Sequence, residues 1–133
     1  MKKFKPIQLL LFCLLVLSTQ MQAQNETTAT IEQLQKEMYR LYPTHDADEF
    51  MDVTERLKEA SLKAGEEGLF YRTWANQASY TFSKISRQKG AEIAKAMNEY
   101  SQQHDSKLGI YYSSLTNAGQ ASTLRMEDDS LKL

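Results

Sequence analysis

The sequence predicts an all-α fold: antiparallel helical hairpins stacked side by side, about five helices behind an N-terminal export signal. Apolar residues from Ile31 onward recur at three- and four-residue steps, and no useful length alternates with a strand period. Helix start and stop residues punctuate the chain at regular intervals. A stretch rich in aromatic residues, Gly68 to Ile85, has a weaker copy about 40 residues later, beginning at Gly109.

The export signal comes first. Lys2, Lys3 and Lys5 form a basic start, Ile7 to Leu17 is apolar apart from Gln8, and the small residue Ala23 precedes Gln24. Basic start, short apolar run and small residue before the cut describe a secretory signal peptide over residues 1–23, cleaved near Ala23. The run is about half of the ~20 residues that span a membrane, so no permanent span is expected, with an uncleaved anchor as the alternative. Cys13 lies inside the run behind the bulky Phe12, which disfavours lipid attachment. Without the signal the chain has no cysteine, hence no disulfide, thiol nucleophile or Cys-ligated metal.

Residues 24–29 read as a flexible N-terminus, and 30–133 as one small helical domain. Thirteen basic against seventeen acidic residues leave the processed chain at −4, with both signs interspersed. No basic stripe marks a nucleic-acid surface, and no nucleic-acid partner is expected. Asn25-Glu26-Thr27 matches a glycosylation sequon, read as chance in a chain whose signal looks bacterial.

The first helix is expected to start at Thr30, with Gln33 at capping-box spacing. It carries Ile31, Leu34, Met38 and Leu41 on one face and ends at Tyr42-Pro43. Asp46 and Glu49 form a second capping box ahead of Phe50, Val53, Leu57, Ala60 and Ala64, and Gly65 stops that helix. The third helix sets Phe70, Trp74, Ala78 and Phe82 on one face, widened by Tyr71, Ala75 and Ile85, so it packs on more than one side. Ser86 to Gly90 reads as a turn. The fourth helix runs from Ala91 to His104 with Ile93, Met97 and Tyr100 inward. The fifth starts near Lys107 and carries Ile110, Tyr111, Leu115, Ala118 and Ser122.

Helices two and three align with four and five. Val53 matches Ile93, Leu57 matches Met97 and Ser61 matches Ser101. After a one-residue insertion Gly68 matches Gly109, Phe70 matches Tyr111, Trp74 matches Leu115 and Asn76 matches Asn117. A hairpin recurring every ~40 residues is the pattern of an α-solenoid, whose units bury their apolar faces on one another.

Trp74 with Gln77-Ala78, then Lys89-Gly90 to Met97, then Leu115 with Ala118-Gly119 resembles the tetratricopeptide repeat. It departs from that pattern in its longer period, in Gln77-Ala78 where Leu-Gly is usual, and in lacking the closing proline. Leu41-Tyr42, Asp48-Glu49-Phe50, Tyr71-Arg72-Thr73-Trp74-Ala75-Asn76-Gln77 and Gly109-Ile110-Tyr111-Tyr112, behind a signal ending Ala23-Gln24, resemble the periplasmic input region of bacterial membrane sensor histidine kinases. This resemblance covers about Ile31 to Leu131. It implies tetratricopeptide-like repeats outside the membrane, a periplasmic location and a role in signal transduction; the kinase core is absent. The stop after Leu131-Lys132-Leu133, where a partner helix is due, reads as a truncated or fragmentary chain, or as an apolar flank that pairs with a second copy or another protein.

No catalytic set stands out. His45 and His104 sit at helix ends with no nucleophile at motif spacing, and Glu127-Asp128-Asp129 reads as a solvated turn. Neither enzyme activity, metal nor cofactor is expected. The ligand-groove candidates are Tyr71, Arg72, Trp74, Asn76, Tyr111 and Tyr112, an aromatic lining with two polar contacts, alongside ordinary core packing as the other reading of the aromatics. The functional expectation is an extracytoplasmic module that binds a protein, peptide or small ligand as the sensory input of a two-component-type protein. The alternative is a stand-alone periplasmic scaffold, with self-association through the C-terminal helix in either case.

Overall fold

The computed structural model describes residues 5–132, with the backbone alone at positions 25, 26 and 29. Lys2, Lys3 and the side chains of the sequon's Asn25 and Glu26 therefore lie outside the described residues. The rest is all-helical: α1 (Pro6–Leu41), α2 (Ala47–Lys63), α3 (Glu67–Lys84), α4 (Arg87–Gln103) and α5 (Lys107–Ser130), with no strand among the described residues.

α1 starts on Pro6, whose fixed φ and missing N–H suit a first helical position. It then runs 36 residues without a break. Residues 24–29, expected as a flexible lead-in, are helical, and the start expected at Thr30 is helix interior. No glycine or proline interrupts this stretch, and the hydroxyls of Ser18, Thr19, Thr27 and Thr28 donate back to carbonyls three or four residues earlier. Such bonds let these residues ride inside a helix rather than cap one. Pro6–Gln24 has a mean hydropathy of 1.5 and none of it is buried, so this segment is long and apolar enough to cross a membrane, a test that signal sequences also pass.

Ile31, Leu34, Met38 and Leu41 of α1 form one core with Phe50, Val53 and Leu57 of α2 and Leu69 and Tyr80 of α3. Phe50 and Tyr80 stack with ring centroids 4.0 Å apart, and Tyr42 closes over both at 5.9 and 6.1 Å. The Tyr80 hydroxyl donates to the Thr44 carbonyl at 3.0 Å, so its polar end is satisfied. Full burial of each such side chain stabilises by roughly 1.5–3 kcal/mol. Asp46 does cap α2 in position, but its carboxylate makes no capping bond. The Thr44 hydroxyl accepts from the Asp46 N–H instead, and Glu49 turns to Arg40 at 3.4 Å.

α4 begins at Arg87, four residues before the expected start at Ala91, because the Ser86 hydroxyl caps it by accepting from the Lys89 N–H. Gly90, expected to close a turn, lies inside the helix. A Cβ there would run into the Phe82 backbone, so glycine serves the close crossing of α3 and α4. Gly109 plays the same part for α5, where a Cβ would collide with the Ser101 hydroxyl and the Tyr71 ring. Glu127, Asp128 and Asp129, expected in a turn, form the last turn of α5.

The two hairpin units share one register. Phe50, Thr54, Leu57 and Ser61 are buried in α2, and Gly90, Ala94, Met97 and Ser101, each forty residues on, are buried in α4. Leu69, Thr73 and Tyr80 of α3 correspond in the same way to Gly109, Ser113 and Gln120 of α5. Both turns have the same hydrogen bonds: Glu66 N–H to Ser61 O at 2.8 Å and Ser106 N–H to Ser101 O at 2.9 Å. Each turn has one residue at positive φ, Gly65 at 73° and Asp105 at 49°. The step of forty is therefore continuous, which corrects the one-residue insertion. Leu69, not Gly68, occupies the place of Gly109; Tyr71 is equivalent to Tyr111 and Trp74 to Ser114. Burial and the turn set the register, whereas the match of Gly68 to Gly109 was one of residue identity.

Candidate functional site

The residues singled out from the sequence do not share one surface. Tyr71 is buried at 2% exposure, its ring held under Gly109. Trp74 is half-buried on the side of α3 that faces α2 and α4. It meets Phe70 and Tyr100 edge-on or tilted at 5.5 and 5.4 Å, with the Lys58 ammonium 4.5 Å from its ring centroid. Asn76 points the other way and donates to the Met38 sulfur at 3.7 Å. Arg72 is exposed and lines a groove against α1 and α2. Tyr111 and Tyr112 lie on α5, edge to face at 5.5 Å, with Tyr111 58% exposed. Core packing accounts for Tyr71 and largely for Trp74; the single aromatic-lined groove is not formed.

Beside Trp74 lies a polar cluster that the periodicity did not single out. The Gln77 amide, 1% exposed, donates to the Thr54 hydroxyl at 2.9 Å and to the Glu55 carboxylate at 2.8 Å. Lys58 donates to Gln77 Oε1 at 3.2 Å and to Glu55 at 3.1 Å. Burial pushes the Glu55 carboxyl up, but the bonds from Gln77 and Lys58, with the Lys58 charge, outweigh it and hold the group below its ordinary value. Each buried donor and acceptor finds a partner, so this cluster joins α2 to α3 rather than waiting for a ligand. One signal for it was present: a glutamine in the most apolar helix of the chain after the leader.

Two of the concave regions border residues named above. The larger, about 1310 Å³ and open, lies between the Ala23–Gln35 part of α1 and the α2–α3 turn, with Arg56, Glu59, Lys63, Glu66 and Arg72 on its walls. Charges of both signs alternate there, without one dominant field. The smaller, about 200 Å³, is walled by Phe70, Tyr71, Tyr100 and His104 near the α4–α5 turn. His104 stacks on Tyr100 at 3.9 Å, and its Nδ1–H donates to the Tyr100 carbonyl at 2.9 Å, which ties the imidazole to its own helix. His45 is exposed. Among the described residues no three His, Cys, Asp or Glu side chains converge as a metal site would require.

Outside the apolar Pro6–Gln24 segment, the surface that departs most from ordinary solvation is α5. Its buried residues are Gly109, Ser113, Thr116 and Gln120, small or polar, while Ile110, Tyr111, Leu115 and Leu124 are 39, 58, 56 and 46% exposed. From Leu108 to Leu124 the helix has no charged residue. α4, by contrast, presents Glu92, Lys95 and Glu99 to solvent.

No protein-family model, curated protein or solved structure matches the chain.

Proposed function

We propose that this chain is an exported binding module, a tetratricopeptide-like stack of helical hairpins that acts by docking a protein and has no catalytic role of its own. The observation that carries the reading is the uncharged, outward apolar face of α5. Exposed large apolar side chains such as Tyr111 and Leu115 on a helix stretch without charge mark an interaction surface rather than a solvated one. The stacking order supports the solenoid: α3 packs on α2, α4 and α5, and the same buried positions return after forty residues. The apolar Pro6–Gln24 segment with Ala23 near its end supports export, and the resemblance to sensor input regions supports a sensory role. The scaffold reading rests on the same α5 face and differs in having no signalling output.

The test has two readouts on the full chain produced in a Gram-negative host. N-terminal sequencing of the periplasmic fraction is expected to find a product starting at Gln24; a membrane-held product that retains the leader rejects the soluble exported form. A photo-reactive residue at Tyr111 is expected to form protein adducts that the same residue at Lys95 does not. Equal adducts at both positions, or none, reject α5 as the docking face.

A further inference from the structure

We infer that the occupant of the α5 face is a second copy of this chain, with the two α5 helices packed antiparallel about a two-fold axis near Ala118. The inference rests on the reading of α5 as a docking face and names its partner. The exposed stripe Tyr111, Leu115, Ala118, Ser122 advances by four, three and four residues, so it forms one line along the helix. Its N-terminal half is large and its C-terminal half is small. Two copies in the same direction would set tyrosine on tyrosine and leave the small ends apart. Antiparallel copies set Leu115 of each chain against Ala121 and Ser122 of the other, large into small on either side of the axis. The molecule already uses this device once, where the Tyr71 ring lies on Gly109. A surface that is its own complement under a two-fold rotation is what an isologous dimer requires.

Charge agrees with shape. Charged side chains flank the neutral stretch: Lys107 precedes it, and Arg125, Glu127, Asp128 and Asp129 follow it, with Glu127 paired to Arg87 of its own chain. With the axis near Ala118, Lys107 of one chain approaches Asp129 of the other, and the Tyr111 ring approaches Arg125, each contact made twice. Within its own chain Asp129 meets Lys132 at 3.8 Å with both side chains exposed, a contact weak enough to exchange. In a parallel pair Lys107 would face Lys107, and Asp129 would face Asp129.

The test is site-directed disulfide formation in the full chain with Cys13→Ser. Ala118→Cys is expected to form a disulfide-linked dimer under mild oxidation, and Lys95→Cys, on the outer side of α4, is not. Leu115→Glu, at an exposed position where the fold tolerates it, is expected to lower the cross-link at position 118 about tenfold or more, as loss of a central apolar contact does. Lys107→Glu is expected to lower it a few-fold, and adding Asp129→Lys to restore it. Both changes suit the helix dipole, so neither loss arises from an unravelled helix. Equal cross-linking at positions 118 and 95 would mean clustering through the leader and would overturn the pair. Failure of the charge swap to restore the cross-link overturns the antiparallel register. If the Tyr111 adducts described above hold only foreign protein and the Ala118→Cys variant does not dimerise, the docking face stands and the second copy is rejected. If neither forms, both readings fall.

Discussion

At position 50 the first hairpin unit buries a phenylalanine; at the equivalent position 90 the second buries a glycine. Leu69 and Tyr80 likewise give way to Gly109 and Gln120. The frame is the same in both units, down to the hydrogen bonds of the turn. The filling is different, and it changes where the apolar side chains go. In the α2–α3 unit large residues fill the space between helices, with α1 closing over them. In the α4–α5 unit Gly90 and Gly109 bring α4 and α5 close to α3, a smaller core of Phe70, Tyr71 and Met97 keeps Tyr112 against it, and Ile110, Tyr111, Leu115 and Leu124 of α5 are left exposed. An apolar helix can thus be assembled inside out when its small residues make the intramolecular contact.

This contrast is broken most strongly at the equivalent pair itself. Phe50→Ala is expected to destabilise the chain by about 3–5 kcal/mol in denaturant titration, through lost burial and the cavity left against Tyr80. Gly90→Ala, which adds one methyl group, is expected to destabilise by about 1–3 kcal/mol, because the Phe82 backbone has to move. If Phe50→Ala is harmless, the first unit is not held by its large residues; if Gly90→Ala is harmless, the close crossing is not what shapes the second.

The two turns allow a finer comparison. Asp105→Gly is expected to raise stability by about 0.5–1 kcal/mol, since φ of 49° costs aspartate more than glycine. Gly65→Ala, at φ of 73°, is expected to lower it by about 1–2 kcal/mol. Thermal melts of both variants check the signs, and equal responses at the two turns would contradict their equivalence.

The smallest effect separates the units by pH. Glu55 belongs to the first unit, and its carboxyl is held below the ordinary 4.5 by Gln77 and Lys58 against the opposing effect of burial. A depressed folded value contributes stability above about 4.5 that is lost as pH falls through the folded value. Glu55→Gln is expected to flatten that acid limb and to leave the limb above about pH 6 unchanged in slope. An identical pH profile for the variant would remove Glu55 from the account.

Local pattern in the chain was enough for the helices after Thr30 and most of their ends. Ile31, Leu34, Met38 and Leu41 were legible as a core stripe because periodicity and burial agree there, and Gly65 and the Asp105-Ser106 turn were legible because capping is local chemistry. The rest came from the packing of the helices on one another. That packing, with the turn hydrogen bonds, set the repeat step at forty, turned Gly90 from a turn residue into a crossing point, and placed Tyr71, Arg72, Asn76 and Tyr111 on different surfaces. It also directed the small residues of α5 inward and left Leu115 in water. The roles of Gly90 and Gly109 and the inward small residues of α5 depend on how closely helices distant in sequence approach, which the absence of side-chain atoms at these two glycines permits and no hydrophobic pattern registers.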